Sequence, residues 1–260
     1  MIHQLTNIHP NAIIGKNTQI GAFTTIEEDV IIGEDCWIAS NVVIMNGARI
    51  GNNVKIFPSA VISAAPQDLK YKGEKTIAVI GDNSIIREFV TINKGTIASG
   101  RSEVGKNCLL MAYVHVAHDC IIGNNCILAN CATLAGHIII EDYAIIGGMS
   151  AVHQFVNIGS HVMISGGSLV RKDVPPFVKA AREPLSYVGI NSIGLTRRGF
   201  SEDAINSIRS IYRILFQQNK NIARGVAQVL ETIPQSAERD SILSFIEKSE
   251  RGVMKGYESR

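Results

Sequence analysis

Along most of this chain an aliphatic side chain recurs at every sixth residue. The run goes from Ile8, Ile14 and Ile20 to Ile56 and Ile62, resumes at Ile80, Ile86 and Ile92, and continues from Val104 and Leu110 to Ile164 and Val170 in unchanged phase. A glycine often follows the aliphatic residue, as at Gly15, Gly33, Gly51, Gly105 and Gly123. Four places after it stands a small or branched residue, such as Thr18, Val30, Cys36, Val42, Cys108 or Ala132. A period of six matches neither the 3.6-residue helix nor the two-residue alternation of a strand. It matches an all-β solenoid, a ribbon wound into short flat faces with a turn at every corner. The large aliphatics point inward, the small residues fill the corners, and glycine is expected to supply positive φ at the turns. Aromatic residues are only 6% of the chain, so the packing must be aliphatic.

Two stretches interrupt the pattern. Positions 68 and 74 are Asp and Glu, and position 98 is a lone alanine in NKGTIASGRSE. The phase survives both, so each is read as a loop thrown out from a coil, where function often resides. The repeat ends at RKDVPPF, where Pro175 and Pro176 are expected to stop regular structure. From Ser201 the apolar spacing becomes helical through Ile205, Ile208, Ile211 and Leu215, with Ser201 as N-cap, and two further helices follow. The expected organisation is a solenoid over 1–183, carrying catalysis, and an α-helical C-terminal domain over 184–260.

Composition narrows the function classes. With 46% hydrophobic and 18% charged residues the chain is a folded one. No apolar run approaches the ~20 residues of a membrane span, and the N-terminus lacks a signal-peptide pattern. A net charge of +2 suits acidic ligands but gives no reason to expect nucleic acid. Cys36, Cys108, Cys120 and Cys126 fall at the small-residue corner, and Cys131 lies beside the same core, so all five read as buried filler. No Cys-x-x-Cys occurs, which speaks against a zinc cluster or a redox pair.

The pattern resembles the hexapeptide-repeat superfamily over residues 8–170. That resemblance implies a left-handed parallel β-helix with three faces and 18 residues per coil; the hand rests on the resemblance alone. In an 18-residue frame His118, Gly136 and Gln154 share one angular position on successive coils. Asp119 and His137 share the next, and His153 precedes Gln154. These residues form one polar patch outside the aliphatic phase. A histidine is suited to general-base work. Asp119 can orient its ring, and Gly136 can offer a bare N–H to an oxyanion. Such a set suits acyl transfer to a hydroxyl within a ternary complex. The competing reading is zinc, since hexapeptide-repeat carbonic anhydrases hold zinc with histidines. Their usual His-x4-His spacing is absent here, where His115 and His118 are three apart, so no metal is expected.

The segments HVAHDCIIGNNCILANCATLAGH, IIGGMSAVHQF and DVPPF, with PQDLKYKGE and GINSIGLTRRGF, are similar to the UDP-N-acetylglucosamine acyltransferases of lipid A biosynthesis, along essentially the whole chain. The resemblance implies transfer of an (R)-3-hydroxyacyl group from acyl carrier protein to the 3-hydroxyl of UDP-N-acetylglucosamine, in the cytoplasm. The acyl donor rides on the carrier's phosphopantetheine, and no other cofactor is expected. By resemblance His118 is the base, Asp119 its orienting partner and Gly136 the oxyanion donor. His115, His137, His153, Gln154, Asp68 and Lys70 fall on substrate-contacting positions, and Asn191, Arg197 and Arg198 on nucleotide and phosphate contacts from a neighbouring subunit of a homotrimer. Gly166 falls where the family sets acyl-chain length, and a glycine there implies a long chain. Arg171, Lys172, Lys179, Arg182, Arg209, Arg213 and Arg224 are candidates for carrier-protein docking. Two departures stand out: Ile193 replaces a frequent acidic residue, and Asn93 a frequent histidine. The N-acylating sister enzyme has an extra domain before its repeats, for which a repeat starting at Ile8 leaves no room. The alternatives are another hexapeptide-repeat acyltransferase or a non-catalytic binding solenoid.

Overall fold

The computed structural model describes residues 1–219 and 221–256. The chain winds as a left-handed parallel β-helix with a triangular cross-section. Most strands are only two residues long and carry the inward aliphatic second, as in Thr25–Ile26, Ile31–Ile32 and Trp37–Ile38. Face one begins at Asn7–Ile8, face two at Ile13–Ile14 and face three at Gln19–Ile20. Ile26, Ile44, Ile62, Ile92, Val116 and Leu134 stack along the inside of face one and are essentially inaccessible. Each such side chain stabilises the prism by about 1.5–3 kcal/mol over an exposed one.

Partners on adjacent coils are 18 residues apart in regular stretches, as Ile8 and Ile26 are. Across the first loop Ile62 pairs Ile92, and across the second Ile92 pairs Val116. Both insertions are therefore whole multiples of six, which is why the phase returns. Both leave face one and re-enter face two: residues 65–76 between Val61–Ala64 and Ile77–Ile80, and residues 94–100 between Thr91–Asn93 and Arg101–Val104. They project from the same edge of the prism.

The expected role of glycine is corrected by the backbone. Positive φ falls two residues after the repeat glycine, at Asn17, Asp35, Asn53, Asn107 and Asn125, and not at the glycine itself. Asn and Asp tolerate this left-handed region better than other residues. The glycine is needed for close approach: a Cβ at Gly33 would lie 2.6 Å from the Gly51 carbonyl and 2.5 Å from Asn52 Oδ1 on the next coil. Larger residues also take the left-handed corner, including Phe89, Tyr113, His137, Tyr143, Phe155 and His161. Their rings stack between coils, Phe89 on Tyr113 at 4.8 Å, His137 on Phe155 at 4.6 Å and Tyr143 on His161 at 4.9 Å. The strand spacing of about 4.8 Å matches the stacking distance of aromatic rings, and the contacts offset the backbone cost.

Pro175 and Pro176 interrupt the winding without ending it. Val178–Ala181 rejoins face three parallel to Met163–Ile164, and Ser186–Ile190 adds an antiparallel strand. The segment after residue 183 thus opens on a strand, and residues 220 and 257–260 of the expected helical domain lie outside the described residues. Among the described residues four α-helices follow: α1 (Ser192–Arg197), α2 (Glu202–Arg213), α3 (Ile222–Thr232) and α4 (Ala237–Lys248). Asn191, Ser201, Asn221 and Ser236 cap their N-termini. The buried Tyr212 hydroxyl of α2 donates to Pro176 O at 2.6 Å. The Ser249 hydroxyl beyond α4 donates to buried Asp173 at 2.6 Å, fixing the helices to the end of the prism. Among the described residues no helix is long and apolar enough to cross a membrane.

Candidate active site

The edge between faces one and two collects the polar patch. His118 follows Val116 of face one by two residues and is buried. Asp119 stands at the left-handed corner with φ of 60°, which turns its carboxylate back onto the preceding ring. His118 Nδ1 lies 2.8 Å from Asp119 Oδ2. A carboxylate accepts only, so the shared proton sits on Nδ1 and the Nε2 lone pair is free. Nε2 has no protein partner among the described residues and is not sealed from solvent.

The rest of the carboxylate is occupied by the second loop. Thr96 N–H donates to Oδ1 at 2.9 Å and the Thr96 hydroxyl to Oδ2 at 2.6 Å, while the Ser99 hydroxyl makes a short bond to Oδ1. Burial pushes the Asp119 carboxyl up, but the bonds from Ser99, Thr96 and His118 outweigh it and hold the group at about 2. It is a carboxylate throughout the neutral range. Thr96 and Ser99 were not singled out from the sequence, because hydrogen bonds reaching across a loop leave no periodic trace. The usable signal was the position of both interruptions on one edge.

Gly136 lies directly against the imidazole. A Cβ there would be 2.6 Å from His118 Cε1 and 2.7 Å from Nε2. Its N–H is not taken up by another coil, a feature it shares with other corners among the described residues such as Lys16, Ser40 and Asn130. At the edge between faces two and three, the corresponding N–H groups of Glu34, Lys106 and Asn124 are capped from the next coil, by Asn52 at 2.8 Å, Asn124 at 2.9 Å and Asp142 at 2.7 Å. The residue one coil above Gly136 is Gln154, which is exposed and offers no such cap. Among the described residues the Gly136 N–H has no acceptor.

Of the other sequence candidates, His137, His153 and Gln154 share this edge. His137 Nε2 is 3.7 Å from Asp119 Oδ2, and its ring meets His118 edge-on at 5.1 Å. His115 points outward from face one, where its Nδ1 pairs with the Thr91 hydroxyl at 2.7 Å. Burial, then the neighbouring His118, hold the His115 imidazole below its usual range. Asp68 and Lys70 lie in the first loop of the same edge, with Lys70 N–H donating to Asp68 Oδ1 at 2.9 Å. Asn93 is buried beneath the patch, its amide donating to Ala65 O at 3.1 Å.

The remaining candidates stand on other edges of the same chain. Gly166 is at the corner between faces three and one, exposed, with Gly148 beneath it. Asn191 caps α1 and donates to His161 O at 2.9 Å, and Arg198 lies over the Tyr143 ring, both beside the edge between faces two and three. Arg197 is exposed and Ile193 is 68% accessible. Burial, then Arg198, push His161 down to about 4.

Cys36, Cys108, Cys120 and Cys126 are buried, but Cys131 is exposed, at a left-handed corner between faces three and one, and so is not filler. It is on a different edge from His118. Cys120, two residues from His118, is pushed up to about 12 by burial and is a poor nucleophile. His118, Asp119 and His137 offer ligand atoms within 4.8 Å of one another. In tetrahedral zinc, with bonds near 2.0–2.1 Å, ligand atoms sit about 3.3 Å apart. The 2.8 Å Nδ1–Oδ2 separation is that of a charge-assisted hydrogen bond instead.

Residues 173–254 match the family model described as UDP-N-acetylglucosamine O-acyltransferase, domain 2, and residues 29–64 and 101–136 match the bacterial transferase hexapeptide model. An acyl-[acyl-carrier-protein]–UDP-N-acetylglucosamine O-acyltransferase of Chlorobaculum parvum is 49% identical, covering 95% of this chain and 97% of that protein. The crystal structure of a UDP-N-acetylglucosamine acyltransferase from Bacteroides fragilis superposes with a TM-score of 0.97 at 51% identity, covering 98% of this chain and all of that one. The Arabidopsis enzyme of the same description superposes at 0.86 with 33% identity, covering 98% of this chain and all of that one.

Proposed function

The chain belongs to the acyl-[acyl-carrier-protein]–UDP-N-acetylglucosamine O-acyltransferase family, and from that membership we propose the following reaction and division of labour. The enzyme acts in the cytoplasm and moves an (R)-3-hydroxyacyl group from acyl carrier protein to the 3-hydroxyl of UDP-N-acetylglucosamine, the first step of lipid A biosynthesis. His118 Nε2 takes the proton of the sugar hydroxyl as its oxygen attacks the thioester carbonyl carbon. The carbonyl oxygen becomes an oxyanion and meets the Gly136 N–H. As the C–S bond breaks, the thiolate leaves and takes the proton from the imidazolium, which returns His118 to its starting form. Asp119 keeps the proton on Nδ1 and steadies the charged ring. No acyl-enzyme is formed and no metal is used.

The observation that carries this reading is the His118 ring packed, one coil away, where only a glycine leaves room for it, with the Gly136 N–H unclaimed among the described residues. Residues 1–183 supply the base, and the part beyond supplies Asn191, Arg197 and Arg198, which bind the nucleotide and its phosphates. One chain holds these groups on separate edges. A homotrimer, in which one prism's His118 edge faces its neighbour's other edges, unites them with Gly166. Arg171, Lys172, Lys179, Arg182, Arg209, Arg213 and Arg224 remain the proposed docking residues for the acidic carrier.

The test is mass spectrometry of the product formed from a series of carrier-protein thioesters with UDP-N-acetylglucosamine and its 3-amino analogue, with and without a chelator. The expected product is the 3-O-acyl sugar nucleotide, unaffected by chelation. Donors longer than about ten carbons should be preferred, each extra buried methylene adding about 0.8 kcal/mol, and Gly166→Met should shorten the preference. A wild-type optimum near ten carbons would refute the open-groove reading, and loss of activity with stoichiometric zinc would restore the metal reading. Asp119→Asn should lower kcat by about 10²–10⁴-fold with little change in KM, through loss of the correct tautomer. A variant as active as wild type in steady-state assays would remove Asp119 from the mechanism.

A further inference from the structure

The second loop does more than interrupt the repeat. Among the described residues the Asp119 carboxylate receives four donors: the His118 ring, the Thr96 N–H, the Thr96 hydroxyl and the Ser99 hydroxyl. Three of the four come from residues 94–100. Ser99 is the exposed member, and its Oγ also lies 2.8 Å from Arg101 O. A hydroxyl has one proton, and a carboxylate is the stronger acceptor. The Ser99 proton therefore belongs to Asp119, and the serine joins the exposed outer limb of the loop to the buried dyad.

We propose that Ser99 is a positioning residue that acts on His118 through Asp119. The proposal rests on the general-base reading above. A carboxylate shared among four donors holds its position firmly, yet directs less of its charge at any one of them. His118 must be neutral at Nε2 to accept a proton. A carboxylate with fewer donors pairs more strongly with the imidazolium and keeps a proton on the ring to higher pH. Ser99 thus orients the ring through Asp119 while limiting how far the carboxylate favours a proton on Nε2.

Other groups near the carboxylate do not carry this effect. His137 Nε2 faces Oδ2 at 3.7 Å, and His115 lies beyond His118 on face one. Cys120 follows Asp119 and is pushed up to about 12 by burial. On the loop, Lys94 donates to Asn46 O at 3.3 Å and Arg101 pairs with Glu103 at 3.2 Å. All five are retained in the test.

The experiment is the pH dependence of kcat/KM for wild type, Ser99→Ala, Ser99→Thr and His118→Ala. In Ser99→Ala the acid limb should move up by roughly half to one pH unit, so that activity below the limb falls about 3- to 10-fold while the plateau is nearly kept. Ser99→Thr, which keeps the hydroxyl, should restore the wild-type limb. A limb unmoved in Ser99→Ala, including one lowered equally at every pH, would overturn the proposal and leave the base reading intact. Near-wild-type activity in His118→Ala would instead overturn the base reading itself.

Discussion

His118→Ala should fold as wild type does and lose acyl transfer by at least about 10²-fold, within the 10²–10⁴ that general-base catalysis contributes. The fold does not depend on the ring. The aliphatic ladder is carried by Val116 and Ile122, while His118 stands outside that ladder and bonds to Asp119. Circular dichroism and thermal unfolding should therefore be close to wild type. The loss should appear in kcat more than in the KM for UDP-N-acetylglucosamine, because the proton is moved in the transition state. A non-catalytic binding solenoid would be indifferent to this change in ligand binding and would show no transfer to lose. Full activity in the variant would eliminate His118 as the base.

Gly136→Ala should cost about as much as losing an oxyanion donor, 10²–10³-fold in kcat, although the N–H itself is retained. The reason is steric. The new methyl would sit 2.6 Å from His118 Cε1 and 2.7 Å from Nε2, so the ring must swing away and give up its 2.8 Å bond to Asp119. Gly136 does not have positive φ, so alanine brings no backbone penalty. The chain should remain folded. Activity within about 3-fold of wild type would mean that the imidazole does not work from the place it occupies against this glycine.

Much of this site was legible in the chain. A period of six places residues one coil apart in vertical register, which is enough to bring His118, Gly136 and Gln154 into one column and Asp119 and His137 into the next. The aliphatic core was legible for the same reason. The parts that were not legible obey no period. Thr96 and Ser99 reach Asp119 from a loop, and only the backbone path of that loop reveals the meeting. The repeat does not reveal what its glycines do, because two needs, close approach and left-handed backbone, fall two residues apart, and the second is met by Asn, Asp or stacked rings. Cys131 adjoins the small-residue corner in sequence, but it occupies the left-handed position and is exposed. Asn191 and Arg198 were identified by motif, yet their placement beside His161 and Tyr143 depends on a strand pair and a short helix that continue past two prolines.

The most direct test of the central claim, that the imidazole resting on Gly136 is the working base, is kcat for Gly136→Ala measured in the His118→Ala background. If the methyl acts by displacing that ring, its cost should vanish once the ring is gone, and the double variant should match His118→Ala to within about 3-fold. A double variant slower than His118→Ala by the full Gly136→Ala factor would contradict the account, because the two residues would then be acting independently.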